Sequence, residues 1–276
     1  MGVLENIKKT AKKYDLPQGD ENAQKLIKIL NNIFLLPKKP DAEALFIKHV
    51  ATRGLETQER TGLHASNLIV GEEKFCLRAQ ILSIFYPQDS GKELPVQLLR
   101  IFEEGNAVHE KWQRLFLRAG FSKVCQLDKT CYNKDYDLYF SPDIICRIPE
   151  FDETEPLVGE IKSMNSYSYD TAGRHPSAHL QLQLYMFLTG LKHGFVLCEN
   201  KNTQDFKIEY YKFDIAIIEP IIQRLEKVRY YRQVFETKKR MVCRPKDATD
   251  PKCKKCENCF MRSACWQVSA RRRIKK

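Results

Sequence analysis

Four cysteines fall within thirteen positions near one end of the chain, spaced as Cys253-x2-Cys256-x2-Cys259-x5-Cys265. Thiols at that spacing in a reducing compartment are metal ligands before they are disulfide partners. A metal bound there fixes the local backbone and anything it is tied to. The first fifteen residues carry no apolar run of signal-peptide length and do not fit a myristoylation motif. The most apolar stretch, 180–197, is interrupted by Gln181, Gln183, Lys192 and His193. We therefore expect a cytoplasmic protein that spans no membrane and keeps its ten cysteines reduced. Three arrangements of the cysteine run are open. It forms a local zinc site of four thiolates; or a ferredoxin-like run, although its last spacing is five rather than three and Trp266 rather than Pro follows; or Cys256, Cys259 and Cys265 share a metal centre with one distant ligand.

The charge is as localised as the cysteines. The 276 residues carry a formal net charge of +11. Residues 227–276 hold 17 Lys and Arg against four acids, so the rest of the chain sums to −2. Such a cluster neutralises phosphates and gives salt-sensitive, sequence-independent binding to nucleic acid. Hydrophobic residues at 43% leave ample material for a core and exclude a collagen-like or largely disordered chain. The plain alternative for Arg271–Lys276 is a solvated basic tail.

Hydrophobic period divides the chain. Leu26, Ile29, Leu30 and Ile33 form a helical stripe over Asn22–Leu36, ended by Pro37, and Asp41 is placed to cap a second helix through Val50. Helices are also predicted over Phe75–Phe85, Gln97–Leu117, Ala178–Leu191 and Ile217–Lys239, the second of them interrupted by Gly105. Strands are predicted over Val124–Tyr132, Leu138–Arg147, Leu157–Ile161, Phe195–Cys198 and Phe206–Phe213, and Ser163–His179 as a loop. The order predicts a mixed α/β fold around one central sheet. We divide it into a helical accessory region (1–74), a core (75–240), and a C-terminal cysteine segment with basic tail (241–276).

The strand after Leu138 contains Pro142-Asp143, and the next contains Glu160-Ile161-Lys162. Residues two apart on a strand share a face, so Glu160 and Lys162 point the same way. If the two strands pair as a hairpin, Asp143 lies across from them. Paired carboxylates on one surface repel unless a divalent cation neutralises them, and a lysine beside them balances charge on a phosphoryl group. Taken alone, E-x-K is a common strand-edge pattern, and His109 or Gln181 is an ordinary helix-surface residue.

Together these residues resemble the PD-(D/E)xK nuclease superfamily. Gly105-x3-His109 is similar to the G-x-x-x-H helix motif of its RecB-like branch, and Gln181-x3-Tyr185 to that branch's Q-x-x-x-Y helix. All stand in the family's order. The resemblance implies a restriction-endonuclease-like core and an Mg²⁺- or Mn²⁺-dependent deoxyribonuclease. His109, Asp143, Glu160 and the Ile161 carbonyl would hold the metal, Lys162 would assist attack by water, and Gln181 and Tyr185 would support the site. Cys76-Leu-Arg78 resembles the distant C-x-R ligand motif of iron–sulfur members, the CRISPR-associated RecB-like exonucleases of the Cas-four type and their free-standing viral versions. A [4Fe–4S] cluster on Cys76, Cys256, Cys259 and Cys265 is then implied, with Cys253 as the competing fourth ligand. It would staple the C-terminal segment to the helix at Phe75 across 180 residues of chain.

The implied substrate is single-stranded DNA, degraded from an end without sequence preference. We expect Arg78, Tyr167, Tyr169, Arg174, Arg229 and Arg232 to contact it, and an oligomer is compatible with the sequence. Two other readings stay open: a non-catalytic DNA-binding module of a recombination or CRISPR adaptation complex, and a zinc-stapled nuclease.

Overall fold

The computed structural model describes residues 20–53, 62–89, 95–121, 126–127, 130–151, 155–171, 175–246, 248, 250–253 and 256–273. The elements are α1 (Glu21–Ile33), α2 (Pro40–Arg53), β1 (Leu63–His64), α3 (Leu77–Phe85), α4 (Val96–Ala119), β2 (Gln126–Leu127), β3 (Cys131–Asn133), β4 (Leu138–Phe140), β5 (Ile144–Cys146), β6 (Leu157–Met164), α5 (Ser166–Thr171), α6 (Pro176–Thr189), β7 (His193–Asn200), β8 (Phe206–Lys212), α7 (Ile215–Lys238) and α8 (Arg262–Arg273). They form two compact units, one of residues 1–56, 95–130 and 141–217, the other of 57–94, 131–140 and 218–276.

The first unit is built on a five-stranded sheet in the order β2-β5-β6-β7-β8. Every neighbouring pair is antiparallel except β6 with β7, which run parallel and are joined through α6. This is the expected mixed α/β architecture, although the strands form two sheets rather than one central sheet. The two parallel strands are buried almost throughout, as strands covered on both faces must be. Leu26, Leu30 and Ile33 of α1 and Trp112 and Phe116 of α4 pack with Ile144, Ile161, Phe195, Leu197 and Tyr210 of the sheet. Helix α1, in the stretch expected as an accessory region, contributes Leu26, Leu30 and Ile33 to this cluster.

Local chemistry sets the ends of the elements. The Asp20 side chain accepts from the Asn22 N–H at 2.9 Å and caps α1. Pro40, not Asp41, opens α2, because its fixed φ and missing N–H suit a first helical position. Gly105 lies inside α4 without breaking it, and Gly120, at φ +82°, closes that helix. The strand predicted over Leu138–Arg147 is two strands in two sheets. Pro142, with no N–H for a ladder, sits at the break. Within the predicted loop Ser163–His179, Asn165 Oδ1 accepts from the Ser168 N–H at 2.8 Å and starts α5.

The second unit carries the three-stranded sheet β1-β4-β3, with α3, α8 and α7 from Ile218 onward. Arg224 of α7, 8% exposed, donates to the carbonyls of Leu68 and Val70 at 2.6 Å each and to Glu72 at 2.6 Å. The C-terminal segment is joined to the stretch after α3: the Asp89 N–H donates to the Phe260 carbonyl at 2.8 Å, and the Ser263 N–H to Asp89 Oδ2 at 2.9 Å. No helix among the described residues is long and apolar enough to cross a membrane.

Candidate functional site

In the first unit, β5 and β6 pair with Ile144 opposite Gly159, which sets Asp143, one residue before β5, beside Glu160. Asp143 Oδ2 accepts from the Ile161 N–H at 2.7 Å, and Oδ1 lies 3.3 Å from His109 Nδ1 of α4. Lys162 Nζ is hydrogen-bonded to Glu160 Oε1 and lies 3.5 Å from Gln181 Oε1 of α6. Gln181 Nε2 in turn donates to the Tyr185 hydroxyl at 2.9 Å. The seven positions singled out from sequence, 109, 143, 160, 161, 162, 181 and 185, thus form one connected group across α4, β5, β6 and α6.

Electrostatics make this group unusual. Glu160 is 1% exposed, and its Oε2 has no hydrogen-bond partner. Burial, and then the neighbouring Asp143, push its carboxyl up to about 8 against the pull of Lys162. Burial, the largest single influence, lowers the Lys162 pKa, but the Glu160 charge and hydrogen bond together with the nearby Asp143 outweigh it and hold the ammonium above its usual value. Burial and the adjacent Glu160 also raise the Tyr185 phenol, so it stays a hydrogen-bond donor. Two adjacent carboxylates, one of them with a bare buried oxygen, and a histidine are by their chemistry the donors a hard divalent cation takes. Among the described residues, no group of three or more His, Cys, Asp or Glu side chains stands so that it could hold a metal ion.

Sequence reasoning missed two neighbours of this group. Gln113, fully buried one turn after His109, donates through Nε2 to the Asp143 carbonyl at 3.1 Å. His175 accepts from the Ala178 N–H at 3.2 Å at the start of α6, and burial together with Lys162 lowers its pKa. A groove of about 540 Å³ lies apart from these residues, lined by Glu104, Lys111, Glu199, Lys201, Asn202 and Gln204. Its lysines are already paired, Lys111 with Glu199 at 2.5 Å and Lys201 with Glu104 at 2.6 Å.

In the second unit, Cys76, Cys256, Cys259 and Cys265 line one cavity, with Arg244, Arg262 and Trp266 around them. Burial and the cysteines around it push the Cys256 thiol up to about 12, and burial, partly offset by a backbone hydrogen bond, pushes Cys259 up to about 11. Thiols raised in this way stay protonated near neutral pH unless a metal displaces their protons. Among the described residues the lining has four sulfurs and no carboxylate, a soft donor set by chemistry. Cys253 is not in the lining; it is a hydrogen-bond neighbour of Cys256.

The expected DNA contacts scatter. Tyr167 of α5 is 78% exposed, and Tyr169 is half-buried beneath Lys207, whose Nζ lies 4.7 Å from its ring centroid. Arg229 is exposed on α7, whereas Arg232 is paired with Asp137 and with Glu236 at 2.9 Å. Arg78, 5% exposed, bonds Cys265 Sγ and the Val242 carbonyl, an internal contact. Arg174 lies outside the described residues.

No family model and no curated protein matches the chain. Among solved structures, it is similar to LHK-Exo, an alkaline exonuclease from Laribacter hongkongensis. The form in complex with dAMP aligns at 13% identity and TM-score 0.47, covering 66% of this chain and 94% of that one. It is also similar to a phage-related exonuclease from Haemophilus somnus 129PT, at 15% identity and TM-score 0.40, covering 64% of this chain and 96% of that one.

Proposed function

We propose that the chain is a metal-dependent nuclease that hydrolyses DNA phosphodiesters, acting on single-stranded ends, with a [4Fe–4S] cluster fastening its C-terminal segment. One observation carries the reading: Asp143 and the buried, bare-oxygen Glu160 stand side by side with His109 and Lys162. Two adjacent carboxylates, one of them buried, repel each other, and a divalent cation relieves that repulsion.

His109, Asp143, Glu160 and the Ile161 carbonyl would hold Mg²⁺ or Mn²⁺. Such a cation, when bound, acidifies a water and neutralises charge on the scissile phosphate. The chain's own groups do the rest. Lys162, anchored by Glu160 and Gln181, keeps one donor for a phosphate oxygen or for the attacking water. Gln181 fixes both the lysine and the Tyr185 hydroxyl, so the polar face of α6 is preset before substrate arrives. Asp143 is held in place by the Ile161 N–H and, through its carbonyl, by Gln113. The +13 charge of residues 227–276 supplies sequence-independent attraction for the strand.

End-labelled single-stranded DNA incubated with Mg²⁺ or Mn²⁺ tests the catalytic assignment. Wild type yields short products, whereas Asp143→Ala and Lys162→Ala yield at least a hundredfold less, the scale on which positioned catalytic groups act, roughly 10²–10⁴. Equal product from all three contradicts it. For the cluster, Cys76 lines the cavity and Cys253 does not. After anaerobic reconstitution, Cys76→Ala loses its iron and Cys253→Ala keeps it; the reverse result makes Cys253 the ligand. Stoichiometric zinc with no iron in wild type replaces the cluster by a zinc site.

A further inference from the structure

We propose that Arg78 is a positioning residue of the cysteine site, aimed at the Cys265 sulfur so that it raises the reduction potential of the cluster bound there. The proposal rests on the cluster reading given above. Arg78 lies in the first turn of α3, two residues after Cys76, and is 5% exposed. Its Nη1 donates to the Val242 carbonyl at 2.5 Å and its Nη2 to the Cys265 carbonyl at 3.3 Å. Those two bonds fix the plane of the guanidinium. Its Nε–H then points at Cys265 Sγ, 3.1 Å away.

A guanidinium is charged at every pH at which a protein folds, and burying it is costly unless an anion shares the site. A neutral thiol offers such a donor little. A metal-bound thiolate is a charged acceptor, and charge-assisted hydrogen bonds are about twice as strong as neutral ones. Arg244 brings a second cation to the same residue: its Nη2 donates to the Cys265 carbonyl at 3.2 Å, and its guanidinium lies 3.8 Å from the Trp266 ring centroid. Reduction of an iron–sulfur cluster adds negative charge that its thiolates share. A donor and a cation at one of those sulfurs therefore favour the reduced form, and hydrogen bonds to sulfur and local charge are known levers on such potentials. Lysine in place of Arg78 keeps the charge but has no planar fork to aim a donor at sulfur.

The test uses the full chain, reconstituted anaerobically, with iron and sulfide assayed and the midpoint potential read by redox titration. In Arg78→Gln the ratio of reduced to oxidised cluster at a fixed potential falls about tenfold, a downward shift of about 59 mV for a one-electron couple. Arg78→Lys shifts the same way by less. Reduced wild type carrying ¹⁵N-arginine shows ¹⁵N hyperfine coupling to the cluster, and Arg78→Lys loses it. Equal potentials in wild type and both variants overturn the proposal and leave the cluster standing. If the variants fail to load iron, absence of ¹⁵N coupling in wild type overturns it, and presence of that coupling upholds it. A wild-type chain that takes up no iron and sulfide overturns the cluster reading and this proposal with it.

Discussion

Burial on β6 and the adjacent Asp143 push the Glu160 carboxyl up to about 8, while in the unfolded chain it titrates near 4.5. Between those values the metal-free folded state binds a proton that the unfolded state has released. Stability therefore falls as pH rises through that window. A divalent cation binds the ionised form, so its stabilising effect grows over the same range. Thermal unfolding in EDTA from pH 5 to pH 8 should show the decline, and added Mn²⁺ should offset it increasingly toward pH 8. Glu160→Gln should flatten both trends; an unchanged slope in that variant assigns the titration elsewhere. The residues of this group were legible because motif spacing is local, as with Glu160 and Lys162 on one strand or Gln181 and Tyr185 on one helix. Gln113 was not, since its partner is a backbone carbonyl thirty residues away. The burial of Arg78 was not legible either, because an arginine at a surface and one in a buried sulfur cavity look alike in sequence.

At the scale of elements, the parallel pair β6 and β7 positions the chemistry, and its packing leaves no slack behind Glu160. A Cβ added at Gly159 would meet the Phe195 ring at 2.6 Å. Gly159→Ala forces that ring, stacked on Phe116 of α4, to move. Overpacking of this kind costs about 1–3 kcal/mol. Urea unfolding of the variant measures it, and a wild-type midpoint shows that the ring yields freely. Helices were read well from period, because α1, α4 and α7 are long enough for a stripe to repeat. The strand over Leu138–Arg147 was read as one because both halves are apolar; only Pro142 marked the passage from one sheet to another. Segment Ser163–His179 reads as a loop because α5, six residues long, is too short to show a period.

At the scale of the whole molecule, both compact units are assembled from separated stretches, a property that reading along the chain does not reveal. The β3–β4 hairpin belongs to one unit and interrupts the strand succession of the other. The excess charge is confined to residues 227–276. Binding to single-stranded DNA should therefore weaken steeply with salt, with a slope of about −0.7 per phosphate neutralised. A chain ending at residue 270, which removes five of those basic residues, should bind with a shallower slope and leave the Mn²⁺-dependent stabilisation at Glu160 unchanged. An unaltered slope places the strand away from the tail.

Hydrolysis at the group around Glu160 is the central claim, and release of label from single-stranded DNA by Glu160→Gln tests it most directly. That substitution keeps the size of the side chain and removes its charge. Wild type is expected to release label with Mn²⁺ and not with EDTA, and folded Glu160→Gln to release at least a hundredfold less. Release by Glu160→Gln at the wild-type rate, or wild-type release that persists in EDTA, contradicts the account.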